Sequence, residues 1–263
     1  MFKRELKINF NNFLVWSIIL LGLFLVVYLI YPSIINDESI KMLEEMMEVF
    51  PNEILMAFNM DISSISSAFG WLKSEGFVMV LLIMGCYAGI LGSNILLKEE
   101  NDKTIEYLNS LPIKRNKIIF DKVKAGLIYI VSMILIFGIF NFICLSLSGA
   151  FDQQLFILLS ITPLFSSLVL FFLCLFISTF THKTRKCLFV SLGITMISYM
   201  FNMFSVMSEE TEFLKYFSVF TLADIRNVIL NNSINPLMIF ITVVLSSIFF
   251  ILTIINYDKK ELV

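Results

Sequence analysis

Ionisable residues in this chain are concentrated in one stretch. Residues 98–124 read KEENDKTIEYLNSLPIKRNKIIFDKVK and hold seven of the 19 basic residues, interleaved with Glu99, Glu100, Asp102, Glu106 and Asp121. Charges at this density pair with one another or with a partner surface. They have no catalytic constellation to serve. The single histidine, His182, lies in another basic segment and reads as part of a charged loop, so an H-E-x-x-H zinc site is excluded. No G-x-S-x-G nucleophile turn and no G-x-x-x-x-G-K-[ST] phosphate loop occurs. Cys86, Cys144, Cys174 and Cys187 lack metal-ligand spacing and read as packing thiols.

The elements around this stretch are apolar. Of 263 residues 58% are hydrophobic and 15% charged, against about 25% charged in soluble domains. Six runs, residues 13–31, 77–97, 127–147, 155–180, 188–207 and 236–257, are long enough to cross a hydrocarbon layer of roughly 30 Å as helices. The expected fold is therefore an all-α polytopic membrane protein with six transmembrane helices, a single membrane domain over residues 1–263. The first run ends YLIYPSII with no small-residue cleavage site, so it reads as a retained span and not a signal peptide. None of the runs contains a charged side chain; their polar groups are amides and hydroxyls such as Asn94, Asn141, Asn202, Ser166 and Ser167. Ion-coupled transporters and voltage sensors keep ionisable groups at membrane depth, so both classes are disfavoured. Work done by this chain would draw its energy from another chain.

Orientation follows from the basic residues. With the N-terminus inside, 15 of the 19 fall on inner segments, including Lys3, Arg4, Lys7, Lys183, Arg185, Lys186, Lys259 and Lys260. Lys41, Lys73, Lys215 and Arg226 remain outside. Both termini are thus expected in the cytoplasm, in a cell membrane of bacterial type.

Three flanking segments carry further patterns. Phe2, Leu6, Phe10 and Phe13 recur at helical spacing among Lys3, Arg4 and Lys7, which predicts an N-terminal amphipathic interfacial helix in contact with membrane lipid. In the long acidic outer loop, Ile40, Leu43, Met46, Met47 and Phe50 form one face of a short helix that Pro51 stops. The last outer segment, FLKYFSVFTLADIRNVIL, is too polar to span and too apolar to float free, which predicts short re-entrant or interfacial helices before span six.

Within the charged stretch, Asn101 or Asp102 is placed to cap a helix over residues 103–110 with Ile105, Leu108 and Leu111 on one face. Pro112 ends it and opens a second helix through Ile118, Ile119 and Val123 into the third span. This predicts a cytoplasmic helical hairpin between spans two and three, about 13 residues each way and roughly 20 Å long. Its first helix is shorter than the 12–15 residues or so that hold a helix in water, so its apolar face needs something to dock on.

The stretch resembles the segment after the second span of ABC-2 type permeases, with matches at Glu99 or Glu100, Thr104, Glu106, Leu108, Leu111, Pro112, Arg115 and Lys122. Lys103 stands where that pattern often has Gly, and Asn109 where it has a second leucine. The resemblance extends over the whole chain. It implies a non-catalytic permease subunit of a type V exporter in which residues 103–110 are the coupling helix and the N-terminal helix lies at the interface. It implies two cytoplasmic ATPase subunits carrying ATP and Mg, with no cofactor in this chain. A second permease chain, identical or paralogous, and cargo among drugs, antimicrobial peptides or lipid-like amphipaths complete the expectation; nucleic acid has no place in it. Ile105, Leu108 and Leu111 would supply the apolar contact, and Glu99, Glu100, Glu106 and Arg115 the charge pairing that braces the hairpin. The rival reading is a polytopic sensor or assembly protein whose loop binds a soluble partner.

Overall fold

The computed structural model describes residues 1–34, 45, 67–105 and 114–260. The outer-loop helix expected near Ile40 and Phe50 lies outside these residues, as do Glu106, Leu108, Leu111 and Pro112. The helices are α1 (Phe2–Ile34), α2 (Ala68–Trp71), α3 (Phe77–Ile95), α4 (Lys98–Asn101), α5 (Arg115–Ser148), α6 (Gln153–Ile161), α7 (Pro163–Ser178), α8 (Thr184–Met207), α9 (Ile225–Asn231) and α10 (Pro236–Lys259). A π-helical turn, Leu72–Gly76, joins α2 to α3, and two 3-10 helices, Glu209–Phe217 and Val219–Ala223, precede α9. Six helical stretches are long and apolar enough to cross a membrane, as the runs predicted.

Helices α3 and α7 form the inner pair, and α1, α8 and α10 leave most of their surface outside. The close approach of α3 to α7 depends on glycine. A Cβ at Gly92 would stand 2.3 Å from the Phe171 carbonyl oxygen and 3.2 Å from the Leu175 nitrogen, both backbone atoms that cannot step aside. Small residues at helix interfaces serve the same purpose in other membrane bundles. Gly92→Ala is expected to destabilise the fold by about 1–3 kcal/mol. Gly22→Ala, at a site with nothing within 4 Å, should be neutral or gain up to about 1 kcal/mol. Unfolding titrations in detergent distinguish the two; equal midpoints would remove the packing argument.

Two sequence expectations need correction. The interfacial helix is not separate from the first span, because α1 runs unbroken for 33 residues. Its buried stripe is Glu5, Asn9, Phe13, Ser17, Leu20 and Phe24, whereas Phe10 is exposed. The stripe faces α5, where Phe13 meets the Tyr129 ring at 5.0 Å, Ser17 donates to the Met133 sulfur at 3.3 Å and the Tyr28 hydroxyl donates to Asn141 Oδ1 at 2.9 Å. Polar and apolar positions share the packed face, and α5 supplies the partners of Glu5 and Ser17. The fourth run is divided at Thr162, where Pro163 removes a backbone donor and opens a second helix.

The second arm of the expected hairpin is the N-terminal extension of α5, which begins at Arg115, roughly 18 Å before the apolar run of that span. The segment ahead of span six forms short helices, as predicted. Asp224 caps α9 by accepting from the Asn227 N–H at 3.0 Å, and Asn232, at φ 47°, ends that helix. The Phe220 ring of this segment reaches Gly85 of α3, where an added Cβ would lie 2.8 Å from it.

Candidate functional site

Helices α3, α7 and α10 all end on the face of the bundle that carries both chain termini. A helix end leaves carbonyls without intrahelical partners and carries partial negative charge. Here a different cation meets each end. Lys122 Nζ, on α5, donates to the Ile95 carbonyl of α3 at 2.6 Å. Lys260 Nζ donates to the Thr181 carbonyl at 2.7 Å and the Ser178 carbonyl at 3.4 Å, just past and at the end of α7. Arg115, the first residue of α5, donates from one guanidinium nitrogen to the carbonyls of Tyr257, Asp258 and Lys260 at 3.4, 3.1 and 3.2 Å.

Carboxylates tie two of these cations to the segment after α3. Glu99 Oε2 accepts from Lys122 at 2.6 Å, and Glu5 Oε1 of α1 stands 3.5 Å from the same ammonium. Glu100 Oε1 accepts from Lys260 at 2.7 Å, and its Oε2 lies 2.7 Å from His182 Nδ1. Lys122 and Glu5 are 1% exposed and Glu99 3%. Charges this deep are retained only when paired and hydrogen-bonded. A further pair joins the Met1 amine to Asp121 at 3.8 Å, and the Tyr129 hydroxyl donates to the Leu6 carbonyl. The cluster thus joins α1, α5, the segment 98–105, the turn after α7 and the end of α10.

The arrangement has no nucleophile–base pair, and no group of three metal-ligating side chains occurs among the described residues. Its contacts tie the segment after α3 to four other elements. One family profile, described as ABC-2 family transporter protein, matches residues 14–262. The chain belongs to the ABC-2 transporter family. This ABC-2 protein is accordingly a multi-pass membrane protein and the permease component of an ABC transporter. No curated protein and no solved structure matches it.

The residues matched to the ABC-2 pattern take up distinct positions. Glu99 and Glu100 lie buried inside the cluster, whereas Thr104 is exposed and Ile105 is 2% exposed. Asn101 and Asp102 do not start a helix; they close α4, and the Lys103 and Thr104 N–H groups donate back to the Glu100 and Glu99 carbonyls at 3.3 and 2.9 Å. The types that cap a helix start also suit the turn after a helix end. Lys103 adopts φ 54°, the left-handed conformation that glycine takes without strain. Arg115 reaches the end of α10 and no loop carboxylate among the described residues.

Glu5, His182 and Lys260 escaped the reading of the site from sequence, and Lys122 entered it only as a match to the family pattern. Lys122 falls on the stripe of Ile118, Ile119 and Val123, and Glu5 is four residues before Asn9 and eight before Phe13 on the buried face of α1. Helical spacing therefore marks both as buried charges. His182 and Lys260 carry no local signal, since each is placed by a carboxylate and carbonyls far away in the chain.

Proposed function

We propose that this chain is the membrane subunit of an ABC exporter of the type V class, with the end that carries both termini in the cytoplasm of a bacterial cell. A second permease chain completes the membrane part, and of two ATPase subunits one docks on the tip of each chain, the coupling helix of residues 103–110. ATP and Mg bind on the ATPase subunits. Closure of the ATPase pair presses the tip, and the buried pairs of Glu99 with Lys122 and of Glu100 with Lys260 pass that displacement to α5, α1 and α10. The pairing of this one segment with so many elements is the observation that carries the reading. A loop that only bound a soluble partner would need no such bracing. Rigid-body shifts of packed helices then exchange inward- and outward-facing states, with the ATPase supplying the differential contact energy. Cargo of the exporter is a drug, antimicrobial peptide or lipid-like amphipath.

The test is a joint substitution of Glu106→Ala and Leu108→Ala in the reconstituted transporter. Transport is expected to fall at least about tenfold, the equivalent of losing some 1.4 kcal/mol of coupling, while the ATPase subunits still hydrolyse ATP. Undiminished transport would refute the docking assignment.

A further inference from the structure

At the opposite end of the bundle a cavity of about 380 Å³ opens between α3, α8 and the 3-10 segments before α9. Its size lies in the range of roughly 300–1,000 Å³ typical of small-molecule sites. Val78 and Leu81 of α3 make an apolar floor, and Tyr199 and Phe220 make an aromatic corner with ring centroids 5.8 Å apart at 87°. Glu212, Lys215, Asp224 and Arg226 line it as well.

One carboxylate oxygen beside the cavity is buried and has no hydrogen-bond partner among the described residues. Lys215 donates to Glu212, and this hydrogen bond holds the Glu212 carboxyl below and the Lys215 ammonium above its ordinary pKa, so both stay charged. Asp224 gives one oxygen to the cap of α9. Glu75 sits in the π-helical turn one turn before Val78 and acts electrostatically on the Tyr199 phenol. Its Oε1 is buried and accepts no hydrogen bond among the described residues. π-Turns inside helices recur at functional sites. Lys73 of the same π-turn brings the charged side chains in and beside the cavity to three carboxylates and three cations among the described residues.

We propose that this cavity binds an organic cation with an apolar body, seated on Val78 and Leu81, its charge between the face of Tyr199 and the Glu75 carboxylate. Aromatic faces attract such cations, more strongly when the site is dry. A metal ion is a poor alternative, because no group of three ligating side chains is present among the described residues. That such a ligand is transported cargo rests on the exporter reading; that it binds here does not.

The experiment uses the full chain in lipid nanodiscs without nucleotide or ATPase. Equilibrium binding of tetraphenylphosphonium is compared with that of tetraphenylborate, an anion of the same shape, each corrected for empty nanodiscs. Saturable binding of the cation alone is expected. Glu75→Gln, which keeps the side-chain shape, should weaken it about tenfold, and Tyr199→Leu similarly. Tyr199→Phe should retain it, and Asn202→Trp, which fills the cavity from α8, should abolish it. Equal binding of cation and anion, or full cation affinity in both Glu75→Gln and Asn202→Trp, would overturn the assignment. Because no ATPase is present, that failure would leave the exporter reading standing, and loss of coupling at Glu106 and Leu108 would leave this site standing.

Discussion

Lys122→Met unfolds the protein more easily by about 3–5 kcal/mol, the cost of removing one partner from a buried ion pair. The substitution keeps the length of the side chain but leaves Glu5 and Glu99 facing each other without their shared cation, and leaves the Ile95 carbonyl without its donor. Those groups stand in an interior that gives them almost no water. The measurement is an unfolding titration in mixed micelles, with Lys124→Met as the comparison. Lys124 is exposed two residues further along the same helix, and its loss should change stability by less than about 0.5 kcal/mol. Converting Glu5 and Glu99 to Gln together with Lys122→Met should recover a large part of the loss, since a buried pair replaced by neutral groups is often tolerated. If Lys122→Met and Lys124→Met behaved alike, the cluster would not be the brace described.

Lys260→Met is expected to cost on the order of 3 kcal/mol and to uncouple ATP hydrolysis from transport. Lys260 is the last described residue, yet its ammonium reaches Glu100 and two carbonyls at the end of α7. Without it Glu100, whose side chain is 1% exposed, keeps His182 as its partner among the described residues. The segment after α3 would then be released from α10, while His182 still ties it to the turn after α7 and Glu99 still ties it to α5. A double-mutant cycle with Glu100→Gln isolates the pair and should return a coupling energy of about 1–3 kcal/mol. A cycle that closed to within about 0.3 kcal/mol would mean that the contact contributes nothing. Transport lost while hydrolysis persists would place the defect in transmission, not in ATPase docking.

Much of this architecture is written in local patterns. Six apolar runs without a charge set the number of spans because a membrane helix must satisfy its own backbone and hide no unpaired ion. The helical spacing of Ile118, Ile119 and Val123 ran the charged stretch into the third span, and α5 does begin at Arg115. The same spacing held the cluster in view without revealing it: Lys122 and Glu5 lie on faces made by apolar residues, and a charge on such a face has either a buried partner or no place there. What the spacing could not supply was the partner. Lys122 gains Glu99 across 23 positions, and Lys260 gains Glu100 across 160.

The sequence by itself determined that this is a six-span membrane protein with its charge concentrated in one segment, because hydrophobic length and side-chain charge are properties of each residue in place. Only the tertiary structure decided that the charges are braces. Three helices running the same way end on one face, their orphan carbonyls gather there, and cations from distant positions are drawn in to meet them. That convergence depends on how the helices pack, and packing is settled by contacts such as Gly92 against Phe171, which bring together residues that no local pattern relates.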